Sequence, residues 1–219
     1  MKNVFNLASS ALELTADAFE KKQEGLPQAI QQLIAIVAII LLSPLLLMTV
    51  LAIRIDSKGP IIFKQIRVGE QGRLFVMYKF RSMYLPSDPR YQAPGKSDRN
   101  GVCEKFYCDP RVTAVGRIIR KLSIDELPQL LNVVNGDMAL VGPRPALPKE
   151  VAAYKRYMLQ RLEAKPGITG LWQVSGRADI SFADQIKLDV KYVEERNLFM
   201  DLYILFATIP AVITGKGAY

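Results

Sequence analysis

The chain has 219 residues, 29 lysines and arginines against 21 acidic residues, and a mean hydropathy slightly above zero. It contains no histidine, which excludes imidazole acid–base catalysis, histidine-ligated metal sites and Ser-His-Asp triads and leaves such work to carboxylates, Lys, Tyr, Ser or Cys. The basic excess lies between Arg54 and Arg177 and suits an anionic partner, whether nucleic acid, a phosphorylated substrate or an anionic membrane leaflet.

Residues 1–28 carry Lys2, Lys21 and Lys22 against Glu13, Asp17, Glu20 and Glu24, and Phe5, Ala8, Leu12 and Phe19 fall near one helical face. This predicts an amphipathic interfacial helix, with a frayed tail as the alternative. Gly25 and Pro27 separate it from Leu33–Ile53, twenty-one residues without a charge. A straight helix of that length spans roughly 30 Å, the thickness of a bilayer's hydrocarbon core. Ser43 and Pro44 interrupt it: proline removes a backbone donor and bends the helix, and the serine hydroxyl can satisfy a carbonyl that the bend exposes. Each arm then reaches only half-way, so the run either crosses the membrane or turns back within it. It begins too far from Met1, and is too long, for a signal peptide. The positive charges after Arg54 place that side in the cytoplasm without deciding between span and hairpin.

Ile61–Val68 and Arg73–Met83 are rich in β-branched and aromatic residues and flank Gly69-Glu70-Gln71-Gly72, a β-hairpin pattern. Residues 84–110 have loop composition and contain both cysteines, Cys103 and Cys108. Two cysteines without histidine are too few for a zinc site and are read as free thiols, with a disulfide between them as the alternative. A basic helix is expected from Arg111 to Lys121, with Val115, Ile118, Ile119 and Leu122 as its apolar positions. A second helix is marked by Leu127, Leu130, Leu131 and Val134 facing inward and ends at Gly136. Gly142-Pro143-Arg144-Pro145 reads as a stiff extended loop. Helical patterns return over 149–164 and 181–196, joined by a glycine-rich stretch containing Trp172. The apolar segment Leu202–Ile213 is too short to span. No Walker or dinucleotide-binding glycine pattern is present.

The chemistry concentrates in Ser123-Ile124-Asp125-Glu126-Leu127-Pro128-Gln129. One reading is a capping box, Ser123 as N-cap and Glu126 reaching back. The other is catalytic, because a carboxylate is ionised at neutral pH and serves as a nucleophile without a base. Prolines flanking Arg144 restrict its backbone, which suits bidentate phosphate binding or merely a rigid loop. Lys79 and Arg81 share one face of the second strand and read as phosphate ligands or a solvated face. Trp172 and Arg177 could stack on a base or sugar and pair with a phosphate, although Trp172 as core is the commoner arrangement. Base-stacking aromatics are missing amid the basic run, which argues against nucleic acid.

Lys79-Phe80-Arg81-Ser82-Met83, the Ser123–Gln129 stretch, Gly136-Asp137-Met138-Ala139-Leu140-Val141-Gly142-Pro143-Arg144-Pro145 and Lys165-Pro166-Gly167-Ile168-Thr169-Gly170 together resemble the bacterial sugar transferases, the monotopic phosphoglycosyl transferases. The resemblance covers about residues 29–219. It implies a mostly α protein with a small β-hairpin (α+β), organised as an interfacial segment over 1–28, a re-entrant membrane helix over 29–54 broken at Ser43 and Pro44, and a catalytic domain over 55–219. The implied reaction moves a sugar 1-phosphate from a UDP-sugar to undecaprenyl phosphate through a phosphosugar-aspartate and releases UMP. In it Asp125 is the nucleophile, Glu126 assists, and Asp125 and Glu126 hold Mg2+. Lys79, Arg81, Arg120, Pro143, Arg144 and Arg177 form the substrate- and phosphate-binding set. The implied location is the cytoplasmic face of the bacterial inner membrane, in contact with lipid, and a homodimer is compatible with it. The implied role is the first membrane step of exopolysaccharide, O-antigen (lipopolysaccharide) or glycoprotein glycan assembly. Long members of the family carry four membrane helices and a further domain ahead of this region. The C-terminal part looks more like the long, hexose-transferring members, which points towards glucose or galactose.

Overall fold

The structure, a computed structural model, describes residues 25–95, 106, 108–176 and 180–214. The expected interfacial segment therefore lies almost wholly outside the described residues.

The apolar run forms two helices, α1 (Gln28–Leu41) and α2 (Ser43–Asp56), bent by 62° at their junction. The bend follows from the sequence. Pro44 occupies the first turn of α2, where its missing N–H has no partner to lose. The Ser43 hydroxyl donates to the Ile40 carbonyl at 2.7 Å. Among the described residues no single helix is long and apolar enough to cross a membrane, and only this bent pair passes jointly by length and composition. Few of its side chains are buried, namely Gln31, Ala35, Thr49 and Ile53, while Leu33, Ile40, Leu41, Leu47, Met48 and Ile55 stand exposed. The pair has the form a re-entrant element requires.

The antiparallel hairpin β1 (Ile62–Val68) and β2 (Leu74–Phe80) runs in register from Ile62 opposite Phe80 to Val68 opposite Leu74. Its turn contains two consecutive left-handed residues, Gln71 and Gly72. Phe75 and Met77 point into the core. The second strand ends at Phe80 and not at Met83, which instead pairs with Val112 in an isolated bridge.

Helix α3 (Ala114–Lys121) starts at Thr113, whose hydroxyl accepts from Gly116 N at 2.9 Å. The expected second helix is composite, a 3-10 helix over Ile124–Gln129 followed by α4 (Leu130–Val134). This corrects the inward face. Leu130 is buried and Leu127 and Val134 pack against the core, but Leu131 is exposed and Asn132 and Val133 are enclosed in its place. The tighter 3-10 winding, about 3.0 residues per turn, rotates everything that follows relative to a 3.6-residue pattern.

Strand β3 (Ala139–Val141) pairs in parallel with β4 (Gly167–Thr169). The single helix expected over 149–164 is instead α5 (Pro148–Val151) and a 3-10 helix over Arg156–Glu163. The break lets Arg161 turn inward and donate to the Tyr154 hydroxyl at 2.7 Å. The chain closes with α6 (Leu171–Val174), α7 (Phe182–Glu195), which matches the expected 181–196 helix, and α8 (Leu198–Thr214). Helix α8 buries Asp201 and Ile204 and exposes Phe199, Phe206, Ile209 and Ile213.

One core joins Ala35 of α1 to Met77, Val133, Leu140, Val193 and Ile204. Buried hydrogen bonds fasten the base of α1 to that core. Gln31 Nε2 donates to Leu26 O at 2.6 Å, and Gln31 Oε1 accepts from Leu140 N at 2.6 Å. Leu26 N donates to the Asp201 carboxylate at 2.6 Å, and the Tyr192 hydroxyl bridges Asp201 and Val141 O at 2.8 and 3.1 Å. Burial raises the pKa of both Asp201 and Tyr192.

Gln31→Leu leaves Leu140 N and Leu26 O without partners and is expected to destabilise the protein by about 2–4 kcal/mol in thermal or denaturant unfolding. Gln28→Leu removes only contacts of 3.5 and 3.3 Å and should stay within about 0.5 kcal/mol.

Candidate active site around Asp125 and Glu126

The acidic pair is delivered by an unusual turn. After α3, Ser123 adopts the left-handed conformation (φ 54°, ψ 19°) and sends the chain into the 3-10 helix with Asp125 and Glu126 in its first turn. A non-glycine residue there costs of order 1 kcal/mol, a kind of strain that collects at functional sites. The capping box does not form: Ser123 makes no side-chain cap, and Glu126 turns away to meet Lys79 Nζ at 2.6 Å.

Asp125 is 8% exposed. Its pKa is pushed up to about 6, chiefly because burial penalises the charge. Glu126 pushes in the same direction, while the positive charges of Lys79 and Arg120 oppose. The result is a carboxylate more basic than a solvated one, with the positive charges of Lys79 and Arg120 acting on it. Lys79 arrives there by strand parity. It lies on the same face of β2 as Phe75 and Met77, which are buried, so its ammonium is carried towards the helical layer at the end of the strand.

Arg81 does not share this setting, although strand alternation placed it beside Lys79. Its guanidinium, 4% exposed, donates to Ser57 O at 2.6 Å, Ser57 Oγ at 3.0 Å, Lys58 O at 3.1 Å and Ile53 O at 3.4 Å. It closes the C-terminal end of α2, where carbonyls lack helical partners. Of the two residues read as phosphate ligands or a solvated face, Lys79 therefore stands at the acidic pair and Arg81 at the end of α2.

The second candidate element is the loop after β3. Its position is fixed by contact between backbones. A Cβ at Gly142 would lie 2.3 Å from Lys165 O, and one at Gly167 would lie 2.1 Å from Gly142 N. Pro143 is buried, and its carbonyl accepts from Gly167 N at 2.9 Å. Arg67 Nη1 donates to Pro145 O at 2.9 Å. The Arg144 carbonyl accepts from Arg161 Nη2 at 2.9 Å, while its guanidinium lies 3.6 Å from Glu150. Glu150 is itself buried and accepts from Leu147 N at 2.8 Å. Arg161 forms a short, fully enclosed pair with Asp189.

Asp125, Glu126, Lys79 and Arg120 are thus brought into one electrostatic group, and Pro143 and Arg144 lie on a loop held by a buried charge cluster. Arg177 lies outside the described residues, and Trp172 is half-buried in α6. Arg67, Asn132, Glu150, Arg161 and Asp189 were not anticipated. Asp189 did carry a signal: it interrupts the inward stripe of Gln185, Ile186, Tyr192 and Val193 on α7, where a lone carboxylate needs a buried partner.

The chain belongs to the bacterial sugar transferase family, which it matches over residues 23–215. It is 44% identical over 192 residues to the exopolysaccharide production protein ExoY of Sinorhizobium fredii (strain NBRC 101917 / NGR234), a match covering 85% of each chain. It is 39% identical over 229 aligned residues to the undecaprenyl-phosphate galactose phosphotransferase of Salmonella typhimurium, covering all of this chain and 47% of that one. With the undecaprenyl-phosphate glucose phosphotransferase of Komagataeibacter xylinus the identity is 39% over 215 residues, covering 93% and 37% of the two chains. The protein is therefore an enzyme of the transferase class.

Arg161→Met strands the Asp189 charge in the interior and is expected to destabilise the fold by about 3–5 kcal/mol. Denaturant unfolding checks this, with Arg161→Met/Asp189→Leu regaining most of the loss.

Proposed function

We propose that the protein transfers a sugar 1-phosphate from a UDP-sugar to undecaprenyl phosphate, with Asp125 as the nucleophile. The observation that carries this reading is a buried carboxylate of raised basicity, set beside Lys79 and Arg120 at a strained turn. An Asp125 oxygen attacks the phosphorus bearing the sugar, the bond to the UMP oxygen breaks, and UMP leaves. A phosphosugar-aspartate remains. An oxygen of the lipid phosphate then attacks the same phosphorus, and the Asp125 carboxylate is released as the new diphosphate forms. Both steps move charge among phosphate oxygens, so alignment and neutralisation do most of the catalytic work. Lys79 and Arg120 supply fixed positive charge at the nucleophile, and Arg144, presented by its rigid loop, suits a non-reacting phosphate oxygen.

Among the described residues no cluster of three or more acidic or thiol groups gathers as a metal cage. Asp125 and Glu126 offer two adjacent carboxylates, which fits Mg2+, a cation held by one or two carboxylates together with substrate phosphates and water. When bound it would neutralise charge on the diphosphate. The bent pair α1–α2, with its exposed apolar side chains, supports a re-entrant anchor that keeps the site at the cytoplasmic face of a bacterial inner membrane, where a lipid phosphate and a soluble nucleotide sugar both reach it. The relatives named for galactose and glucose transfer support a hexose, and ExoY supports a place in exopolysaccharide assembly.

Purified protein given Mg2+, undecaprenyl phosphate and a panel of UDP-sugars should release UMP with one preferred sugar, and Asp125→Asn should abolish release. Full activity in that variant would sink the mechanism, and sustained UMP release without the lipid would favour a hydrolase. Activity should fall on the acid side as Asp125 protonates, and bound Mg2+ would move that limb below the value of about 6 to which burial raises the metal-free carboxylate. Lys79→Met removes the first opposing charge and should move that limb to higher pH. Because the folded-state pKa lies above the ordinary value, ionised Asp125 costs stability once the pH exceeds both values. Asp125→Asn should therefore unfold at a higher temperature than the parent at pH 7.5, and the gap should close as pH falls towards 4.

A further inference from the structure

Asn132 sits in the middle of α4 with no exposed surface. Asparagine is a poor helix former, and a fully enclosed amide must find partners for its donor and its acceptor. Its two shorter bonds go to one strand, while Nδ2 also lies 3.5 Å from Asp137 Oδ2. Asn132 Nδ2 donates to Val76 O at 2.7 Å, and Asn132 Oδ1 accepts from Tyr78 N at 3.1 Å. These atoms lie along the edge of β2 away from β1, so the side chain occupies the place of a neighbouring strand and satisfies an edge that a helix cannot pair through its own backbone.

The position of these bonds gives them a consequence for the site. Tyr78 immediately precedes Lys79, and Asn132 follows Glu126 within a continuous helical segment. The strand and the helix are therefore joined twice, once by the amide at Val76 and Tyr78 and once by the ion pair between Lys79 and Glu126 at 2.6 Å. The ion pair alone is a weak tether. Its side chains are 24% and 35% exposed, and pairs of that kind contribute roughly 0–1 kcal/mol. The amide fixes the backbone one residue before Lys79 and so sets how far the ammonium stands from the acidic pair.

We propose that Asn132 is a positioning residue for the transfer reaction, holding Lys79 against Asp125 and Glu126 by acting as a substitute strand along β2. The inference rests on the reading of Asp125 as nucleophile and Lys79 as its charge partner. Asparagine suits this role because it presents a donor nitrogen and an acceptor oxygen side by side in a single rigid plane. Aspartate would set a second acceptor against Val76 O, and leucine would leave both backbone groups unpaired. Asn132 touches no reacting atom, so its effect passes through Lys79.

The test is a double-mutant cycle on the full-length protein, reading kcat and KM for the preferred UDP-sugar with undecaprenyl phosphate as acceptor. Serine retains one of the two bonds at most. Asn132→Ser is expected to lower kcat about 30-fold, within the range that an ångström of misplacement produces, and to leave KM within about threefold. In a Lys79→Met background the same substitution should lower kcat by less than about threefold, because there is no ammonium left to position. A full 30-fold loss in that background, or a loss confined to KM, overturns the proposal and leaves Asn132 a residue of the fold alone. Amide exchange in the unmutated protein provides a check that does not depend on the variant folding: the Tyr78 amide should be protected, and exchange at the rate of an open strand edge overturns the proposal. Activity retained by Asp125→Asn marks failure of the underlying reading, whereas an inactive Asp125→Asn with an additive cycle marks failure of this inference alone.

Discussion

A helix pair whose side chains are mostly apolar offers few polar groups by which to hold it, and here the buried bonds to the rest of the chain gather at its base. Gln31 bridges Leu26 O to Leu140 N, and Asp201 takes Leu26 N. These bonds are buried, and a buried polar group left without a partner costs more than a made bond returns. The geometry at the base is consequently well determined even though most of the hairpin surface touches nothing in the protein. Leu140 and Val141 belong to β3, which leads into the loop bearing Arg144. The bent helix pair and that loop are held by the same few atoms.

Arginines serve this architecture in two distinct ways. Arg81, Arg67 and Arg161 direct their guanidinium groups at carbonyls of the protein itself, closing α2, holding Pro145 and holding Arg144. Arg120 and Lys79 instead contribute charge near Asp125. A planar group with five donors can saturate several converging carbonyls at once, which a lysine cannot. The basic composition that suggested anionic partners is thus partly consumed in construction, and the charge available to a substrate is smaller and more localised than the total implies.

The features legible from the sequence were those governed by local covalent constraints. Proline at position 44 bends a helix wherever it lies, and Ser43 supplies the hydroxyl the bend needs, so the broken pair was readable. Alternating β-branched residues about Gly69–Gly72 gave the hairpin for the same reason. What escaped depended on partners distant in the chain. Ser123 and Glu126 satisfy the spacing of a capping box, but a lysine 47 positions earlier competes for the glutamate and the serine leaves the conformation that a cap needs. Leu131 fits an inward helical position until the preceding 3-10 segment changes the phase. Arg81 shares the parity of Lys79, and the carbonyls its guanidinium meets at the end of α2 come from a distant part of the chain. Nothing in the sequence neighbourhood of Asn132 announces an unpaired strand edge. Each miss is a case of tertiary context overriding a local rule that was itself correctly applied.

The backbone crossing of Gly142 and Gly167 has a consequence for how such an enzyme can diversify. Main chain rests directly on main chain there, and Gly170 repeats the contact, its Cβ position falling 2.3 Å from Gly142 O. The loop that carries Arg144 is therefore located by atoms that every amino acid shares, with side chains removed from the crossing. Neighbouring positions that face outward can be exchanged without displacing the arginine between its prolines. The glycines at the crossing, whose Cβ positions are taken by neighbouring backbone, become the positions least free to change.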